Sequence, residues 1–103
     1  MRNLDREELI AELLTLRPLF QRRGVSHVSL FGSRARRDNR PDSDVDLVIE
    51  IEDEANERFS LLDLAGLYGL IEDRLGLESS LLMRRSLDAG FRQRVARDEV
   101  VVF

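Results

Sequence analysis

Apolar residues recur at helical spacing over residues 5–23, where Leu9, Leu13, Leu16 and Phe20 line one face with Ile10 and Leu14 beside them. Asp5 and Glu8 stand in the positions of a capping box. Pro18 predicts a kink or break within the segment, and Gly24 its end. The pattern then changes to alternation. Val25–Phe31 places Val28 and Leu30 on one face and Ser29 and Phe31 on the other, which predicts a strand. Gly32 follows directly, Ser33–Arg37 reads as a short helix, and Asp38–Ser43 as a polar loop. Asp44–Ile51 predicts a second strand, with Val45, Leu47 and Ile49 facing one way and Asp44, Asp46 and Val48 the other. The acidic stretch 52–57 reads as a loop. Residues 58–75 predict the strongest amphipathic helix, with Leu61, Leu64, Ala65, Tyr68, Ile71 and Leu75 on its apolar face. Gly66 and Gly69 lie three apart in it, so they share a face and predict a close approach to the sheet; Gly76 marks its end. Ser79–Met83 reads as a third strand, Leu87–Arg97 as a last helix and Glu99–Phe103 as a final short strand. Such alternation of helix and strand predicts an α/β layer architecture.

Composition narrows this picture. The 103 residues amount to one domain, spanning 1–103, with room for a modest core that a partner or self-association would reinforce. A 43% apolar and 35% charged chain reads as soluble and globular. Its apolar runs fall far short of the ~20 residues that cross a bilayer, and Asp5, Arg6, Glu7 and Glu8 interrupt any signal-like stretch. The cytoplasm is therefore the expected location. The absence of cysteine excludes disulfides, thiolate metal sites and cysteine nucleophiles. With a single histidine, a metal site here must use oxygen ligands, which suit hard cations such as magnesium. A net charge of −4 does not describe a direct nucleic-acid binder. All 16 basic residues are arginines, so a lysine-dependent phosphate loop is excluded, while arginine forks remain available for phosphate.

The chemistry concentrates in Phe31-Gly32-Ser33-Arg34-Ala35-Arg36 and Ser43-Asp44-Val45-Asp46-Leu47. Gly32 falls where strand meets helix, so a phosphate can approach its backbone closely. Ser33 adds a hydroxyl, and Arg34 and Arg36 add positive charge. Asp44 and Asp46, two apart on a strand, project to one side about 6.6 Å apart. Aspartate is disfavoured in strands and like charges on one face repel, so a bound cation explains the pair. Two carboxylates beside a phosphate cradle can hold magnesium against a triphosphate. Taken singly, each piece has a plain structural reading: a Gly-Ser pair usually makes a turn.

Together they resemble the nucleotidyltransferase superfamily signature, a Gly-Ser pair, ten residues, then Asp-x-Asp: here Gly32-Ser33, Arg34 to Ser43, and Asp44-Val45-Asp46. The flanking Leu-Phe-Gly-Ser-Arg-Ala-Arg and Pro-Asp-Ser-Asp-Val-Asp-Leu are similar to the minimal nucleotidyltransferase (MNT) branch, and the resemblance runs over nearly the whole chain. It implies a small mixed sheet with helices packed against it. It implies metal-binding aspartates at Asp44 and Asp46, and a third carboxylate on a neighbouring strand. It also implies a helical HEPN-domain ribonuclease partner, with the MNT protein as antitoxin, in some cases by transferring AMP from ATP to a partner tyrosine.

Two features depart from the family pattern, and a few other residues fall outside it. Aligning Arg85-Ser86-Leu87 on the family's Lys-Ser-Leu-like turn puts Ser80 where the third carboxylate belongs, and serine lacks the basicity to help an attacking hydroxyl lose its proton. Glu78, two residues earlier, is the candidate surrogate, displaced by about 6.6 Å along the strand. Arg37 stands where the family often has glycine, which predicts a looser turn after the cradle. His27 and the Arg84-Arg85 pair read as surface residues, and Tyr68 as core. Two readings follow: a magnesium-dependent adenylyltransferase acting on a partner hydroxyl, or a catalytically idle MNT-fold antitoxin that neutralises a HEPN protein by contact. Transfer to a small molecule such as an aminoglycoside is a weaker third, since it would normally need a further domain.

Overall fold

A computed structural model describes residues 4–103; the first three residues of the expected domain lie outside the described residues. Helix α1 (Arg6–Thr15) opens on a capping box, with the Asp5 carboxylate accepting from the Glu8 N–H at 2.8 Å and the Glu8 carboxylate accepting from the Asp5 N–H. The break predicted by Pro18 is real. Helix α2 (Arg17–Arg22) starts anew after Leu16 and carries the proline in its first turn, where a missing N–H costs nothing. The sheet follows from β1 (Val25–Phe31), a short helix α3 (Gly32–Arg36), β2 (Val45–Ile51), a single-turn helix α4 (Asp53–Asn56), the long helix α5 (Leu61–Leu75), β3 (Ser79–Met83), one 3₁₀ turn (Arg84–Ser86), α6 (Ala89–Asp98) and β4 (Val100–Val101).

The four strands lie in the order β3-β2-β1-β4, with β2 parallel to β3 and β1 antiparallel to both its neighbours. This is the small mixed sheet that the sequence resemblance implied. One face carries Val25, Val28, Leu30, Val45, Leu47, Ile49 and Leu81 against Leu9 and Leu13 of α1, Phe20 of α2, and Leu67, Ile71 and Leu75 of α5. The opposite face buries only a small cluster, Phe31 and Val48 against Val95 of α6, with Leu82, Leu87 and Phe91 partly buried around it. Asp46 and Ser80 alternate with the main-core residues of their strands, so they belong to this second face.

Several expectations are corrected. Asp44 is not in a strand; it is an exposed residue immediately before β2, because the loop joins the β2 ladder only at the Val45 N–H, which bonds the Glu78 carbonyl at 2.9 Å. The acidic stretch 52–57 contains α4 rather than a loop. Acids in the first turn favour a helix start, and Ala55 packs so tightly on Gly24 (φ 87°) that a side chain there would overlap it. The long helix begins at Leu61, not residue 58, since Ser60 and Asp63 cap it reciprocally. Its buried face runs through Leu67, Ile71 and Leu75; Leu61 and Ala65 are exposed. Gly69 opens on empty space, and Gly66 lies under the Arg23 guanidinium, its virtual Cβ 2.7 Å from Cζ, so neither glycine serves an approach to the sheet. Tyr68 is half-buried, and its hydroxyl accepts the Leu81 N–H at 3.1 Å, giving a polar backbone group of β3 a partner. The last strand pairs over only two residues.

Arg37 closes α3 with φ 67°, a left-handed conformation that side chains disfavour. The turn is thus as tight as with glycine, contrary to the looser turn expected. Arg37→Gly is expected to raise stability by about 1 kcal/mol, measurable as a rise in the chemical denaturation midpoint at unchanged slope. Loss of the exposed Arg37–Glu7 ion pair subtracts little from that.

Candidate nucleotide and metal site

The end of β1 and the start of β2 meet at one point. Phe31, the last residue of β1, pairs with Asp46, and Asp46 pairs on its other side with Ser80 of β3. Because β2 is an inner strand, its second residue is flanked on both sides, and the Asp46 side chain is confined to the face above Gly32. Gly32 has φ 75°, and a Cβ placed on it would fall onto the Asp46 carboxylate, 3.1 Å from Cγ and 3.3 Å from Cβ. Two independent requirements, a left-handed backbone and the absence of a side chain, therefore fix glycine here. No side chain caps the start of α3, so the N–H groups of its first turn carry no side-chain partner of that kind.

Asp46 is half-buried and Asp44 exposed. Burial raises the Asp46 carboxyl above the ordinary aspartate range, and the Asp44 charge raises it further; Arg36 and Arg34 only partly oppose this. The sign of the consequence is definite. A carboxyl whose affinity for a proton is higher in the folded chain destabilises that chain as pH rises from the ordinary value of 3.8 through the raised one. Asp46→Asn is therefore expected to be more stable than the parent at neutral pH without metal. The gain should be about 0.2–1 kcal/mol, the size of a same-face like-charge contact, and should vanish when denaturation is repeated below pH 4, roughly the unperturbed value.

The arginines expected to reach phosphate do other work. Arg34 is 1% exposed, and its guanidinium donates to the carbonyls of Ser43 (3.0 Å), Leu4 (3.2 Å) and Pro41 (3.2 Å). It is a buried strut that ties the loop before Asp44 to the segment before α1. Burial lowers its pKa, and the nearby Asp44 and Asp46 raise it. The phosphate contact expected of Arg34 is thus corrected: its fork is engaged by backbone. Arg36 is partly exposed and paired with Asp38 at 3.0 Å and Asp98 of α6 at 2.9 Å, and these hydrogen bonds raise its pKa. Ser43 itself accepts the Arg40 N–H on its hydroxyl at 2.9 Å, which closes the loop locally. Nothing in local periodicity separates Arg34 from Arg36; the strut exists only because remote carbonyls converge on it.

Ser80 occupies the position beside Asp46 that the alignment assigned to the third carboxylate. Glu78 does not replace it. Glu78 precedes β3, is exposed, and among the described residues no group of three or more acidic or imidazole side chains could enclose a metal. The remaining pair, one carboxylate half-buried with raised proton affinity and the other exposed, fits magnesium. That ion is commonly held by one or two carboxylates with substrate phosphates and water completing its shell. His27 is exposed on β1, away from this cluster in the register.

A glycine-backed carboxylate pair at the junction of β1, α3 and β2 defines a site of the nucleotidyl-transfer class. Residues 15–103 match the family described as Polymerase beta, Nucleotidyltransferase. The chain is 37% identical over 97 residues to the protein adenylyltransferase MntA of Thermococcus cleftensis, covering 92% of this chain and 94% of that one. A solved minimal nucleotidyltransferase superposes with a TM-score of 0.80 at 33% identity, over 97% of this chain and 98% of the other. A complex of a tri-AMPylated Shewanella oneidensis HEPN toxin with its MNT antitoxin shares the fold, with a TM-score of 0.68 at 16% identity over 95% of this chain and 71% of that one. The chain belongs to the polymerase-beta-type nucleotidyltransferase family, in its minimal nucleotidyltransferase branch.

Proposed function

We propose that this protein is a magnesium-dependent adenylyltransferase that moves AMP from ATP to a hydroxyl of a HEPN-type protein partner, a tyrosine, and so acts as a cytoplasmic antitoxin. The observation that carries the reading is the Asp46 carboxylate lying directly on Gly32, with Asp44 two residues away. The name of the Thermococcus relative and the AMP-bearing HEPN complex support the direction of transfer. Magnesium, when bound, would offset triphosphate charge and the charge that develops on the leaving pyrophosphate. Asp44 and Asp46 would hold it. The backbone at Gly32 and the Ser33 hydroxyl receive phosphate oxygens, while Arg36, anchored to Asp38 and Asp98, adds field rather than a free fork. The acceptor oxygen attacks the α-phosphorus, the bond from that phosphorus to the bridging oxygen of the β-phosphate breaks, and pyrophosphate leaves. The acceptor's proton passes to solvent, because Ser80 offers no carboxylate to take it.

Ser80 also gives the second reading its footing: an idle MNT-fold antitoxin that neutralises its partner by contact alone. One experiment separates the two. Protein, magnesium, α-labelled ATP and the helical product of the neighbouring reading frame are incubated together. Asp44→Asn is expected to reduce label transfer by about 10²-fold, the order of a lost transition-state charge contact. Neutralisation without label, equal in parent and variant, sinks the enzymatic reading and leaves the contact reading standing.

A further inference from the structure

Ser80 brings to the site a hydroxyl that the transfer proposed above leaves unused. It stands directly beside Asp46 in the parallel register of β2 and β3. Neighbouring strands lie about 4.7–4.9 Å apart, and the two side chains project from the same face of the sheet. Ser80 is half-buried, and among the described residues its hydroxyl makes no hydrogen bond. The other hydroxyls of this neighbourhood are engaged or face elsewhere. The Ser43 hydroxyl accepts the Arg40 N–H at 2.9 Å. Ser79 pairs with Val45 and so faces the main core, where its Oγ is closed off from solvent. The Tyr68 hydroxyl accepts the Leu81 N–H at 3.1 Å. Ser33 lies in the first turn of α3, on the phosphate side of Asp46.

A carboxylate at residue 80 would serve an incoming hydroxyl by taking its proton. A serine there has the parts of an acceptor itself: a proton to lose and an oxygen to attack with. We propose that Ser80 is a self-modification site, at which the protein transfers AMP from ATP to its own side chain when no partner hydroxyl is present. This rests on the nucleotidyl-transfer reading given above. Ser80 Oγ attacks the α-phosphorus and forms the new O–P bond. The bond from that phosphorus to the bridging oxygen of the β-phosphate breaks, pyrophosphate leaves, and the serine proton passes to solvent. The sheet holds the oxygen beside Asp46, so it has the advantage of an intramolecular reactant over one that must diffuse in. Without a positioned base the step forgoes about 10²–10⁴-fold in rate, so the modification accumulates slowly. Its product is self-limiting. AMP on Ser80 fills the ground beside Asp46, and a chain so modified no longer admits ATP.

The test has two measurements. In the first, the protein is incubated with magnesium and ATP, with and without the partner, and read by intact mass and peptide fragmentation. Without the partner, a mass gain of a single AMP is expected, located on Ser80. It is expected to vanish in Ser80→Ala and to persist in Ser80→Thr, with circular dichroism confirming that both variants fold. Asp44→Asn should reduce it by about 10²-fold. The second measurement needs no reaction. The chain has no cysteine, so Ser80→Cys supplies a single thiol. Its alkylation by iodoacetamide is expected to slow by about tenfold when magnesium and a non-hydrolysable ATP analogue are present at about ten times the dissociation constant. An alkylation rate unmoved by the analogue overturns the proposal. So does AMP found on Ser33 or Ser43 instead. A labelled partner beside an unmodified chain overturns it too, and leaves nucleotidyl transfer standing. AMP on neither protein overturns both.

Discussion

Ser80→Asp is expected to raise the rate of nucleotidyl transfer by about 10²–10⁴-fold, the range that a positioned general base supplies. The argument is one of register. In the parallel pairing of β2 and β3, residue 80 stands directly beside Asp46, on the face that carries the site. A carboxylate there would sit within the same cluster without any backbone movement. It would give the acceptor proton a destination that solvent now has to provide. The substitution adds a third like charge, so the metal-free protein should lose stability, by up to about 1 kcal/mol for each same-face pair. Magnesium should restore that loss, by about 1.4 kcal/mol at tenfold excess over its dissociation constant. Single-turnover label transfer and metal-dependent melting, on parent and variant together, measure both halves. A variant that gains magnesium affinity but no rate would show that proton transfer does not limit the step, and that a carboxylate at residue 80 is not what the parent lacks.

Arg34→Met should cost about 1–3 kcal/mol, the penalty for leaving a buried acceptor without its donor, out of the 5–15 kcal/mol that small domains possess. The stem of the side chain is replaced, but three carbonyls, those of Leu4, Pro41 and Ser43, lose their donor together. The bond to the Leu4 carbonyl is buried and the other two are part-buried, so Leu4 bears most of the desolvation cost. Lysine cannot rescue the site, because a single ammonium cannot reproduce a planar fork with separately directed donors. The loss should be structural and local before it is global. Hydrogen exchange in residues 38–44 should accelerate, and nucleotide affinity should fall through displacement of Asp44, with the Asp46 strand still protected. Equal protection of that loop in parent and Arg34→Met would contradict the role of this residue as a strut.

The elements were legible where local chemistry decides them. Pro18 announces its own helix break, Gly24 and Gly76 their chain reversals, and alternation in Val25–Phe31 its strand. The centre of the candidate site was legible because Gly32 and the Asp44/Asp46 pair stand at the spacing of the family signature, although Asp44 lies just before the strand rather than in it. Where apolar residues occur in every helical phase, the pattern misled. Leucines at 61, 62, 64, 67, 70 and 75 surround α5, so periodicity alone could not say that Leu67 faces inward and Leu61 outward. The four-residue helix α4 was invisible for a different reason: it is set by packing on a distant glycine, not by any repeat of its own. The fate of Arg34 against Arg36, and the tie from Arg36 to Asp98, depend on partners up to 62 residues away.

The hydroxyl of Tyr68 sits against the outermost strand of the sheet. An outer strand with a vacant amide is a template on which foreign strands can grow, the usual first step toward fibrils. By occupying the Leu81 amide, a single phenol blunts that template. Sheet growth along this margin is thereby discouraged at the one place where the edge amide would otherwise be free to pair.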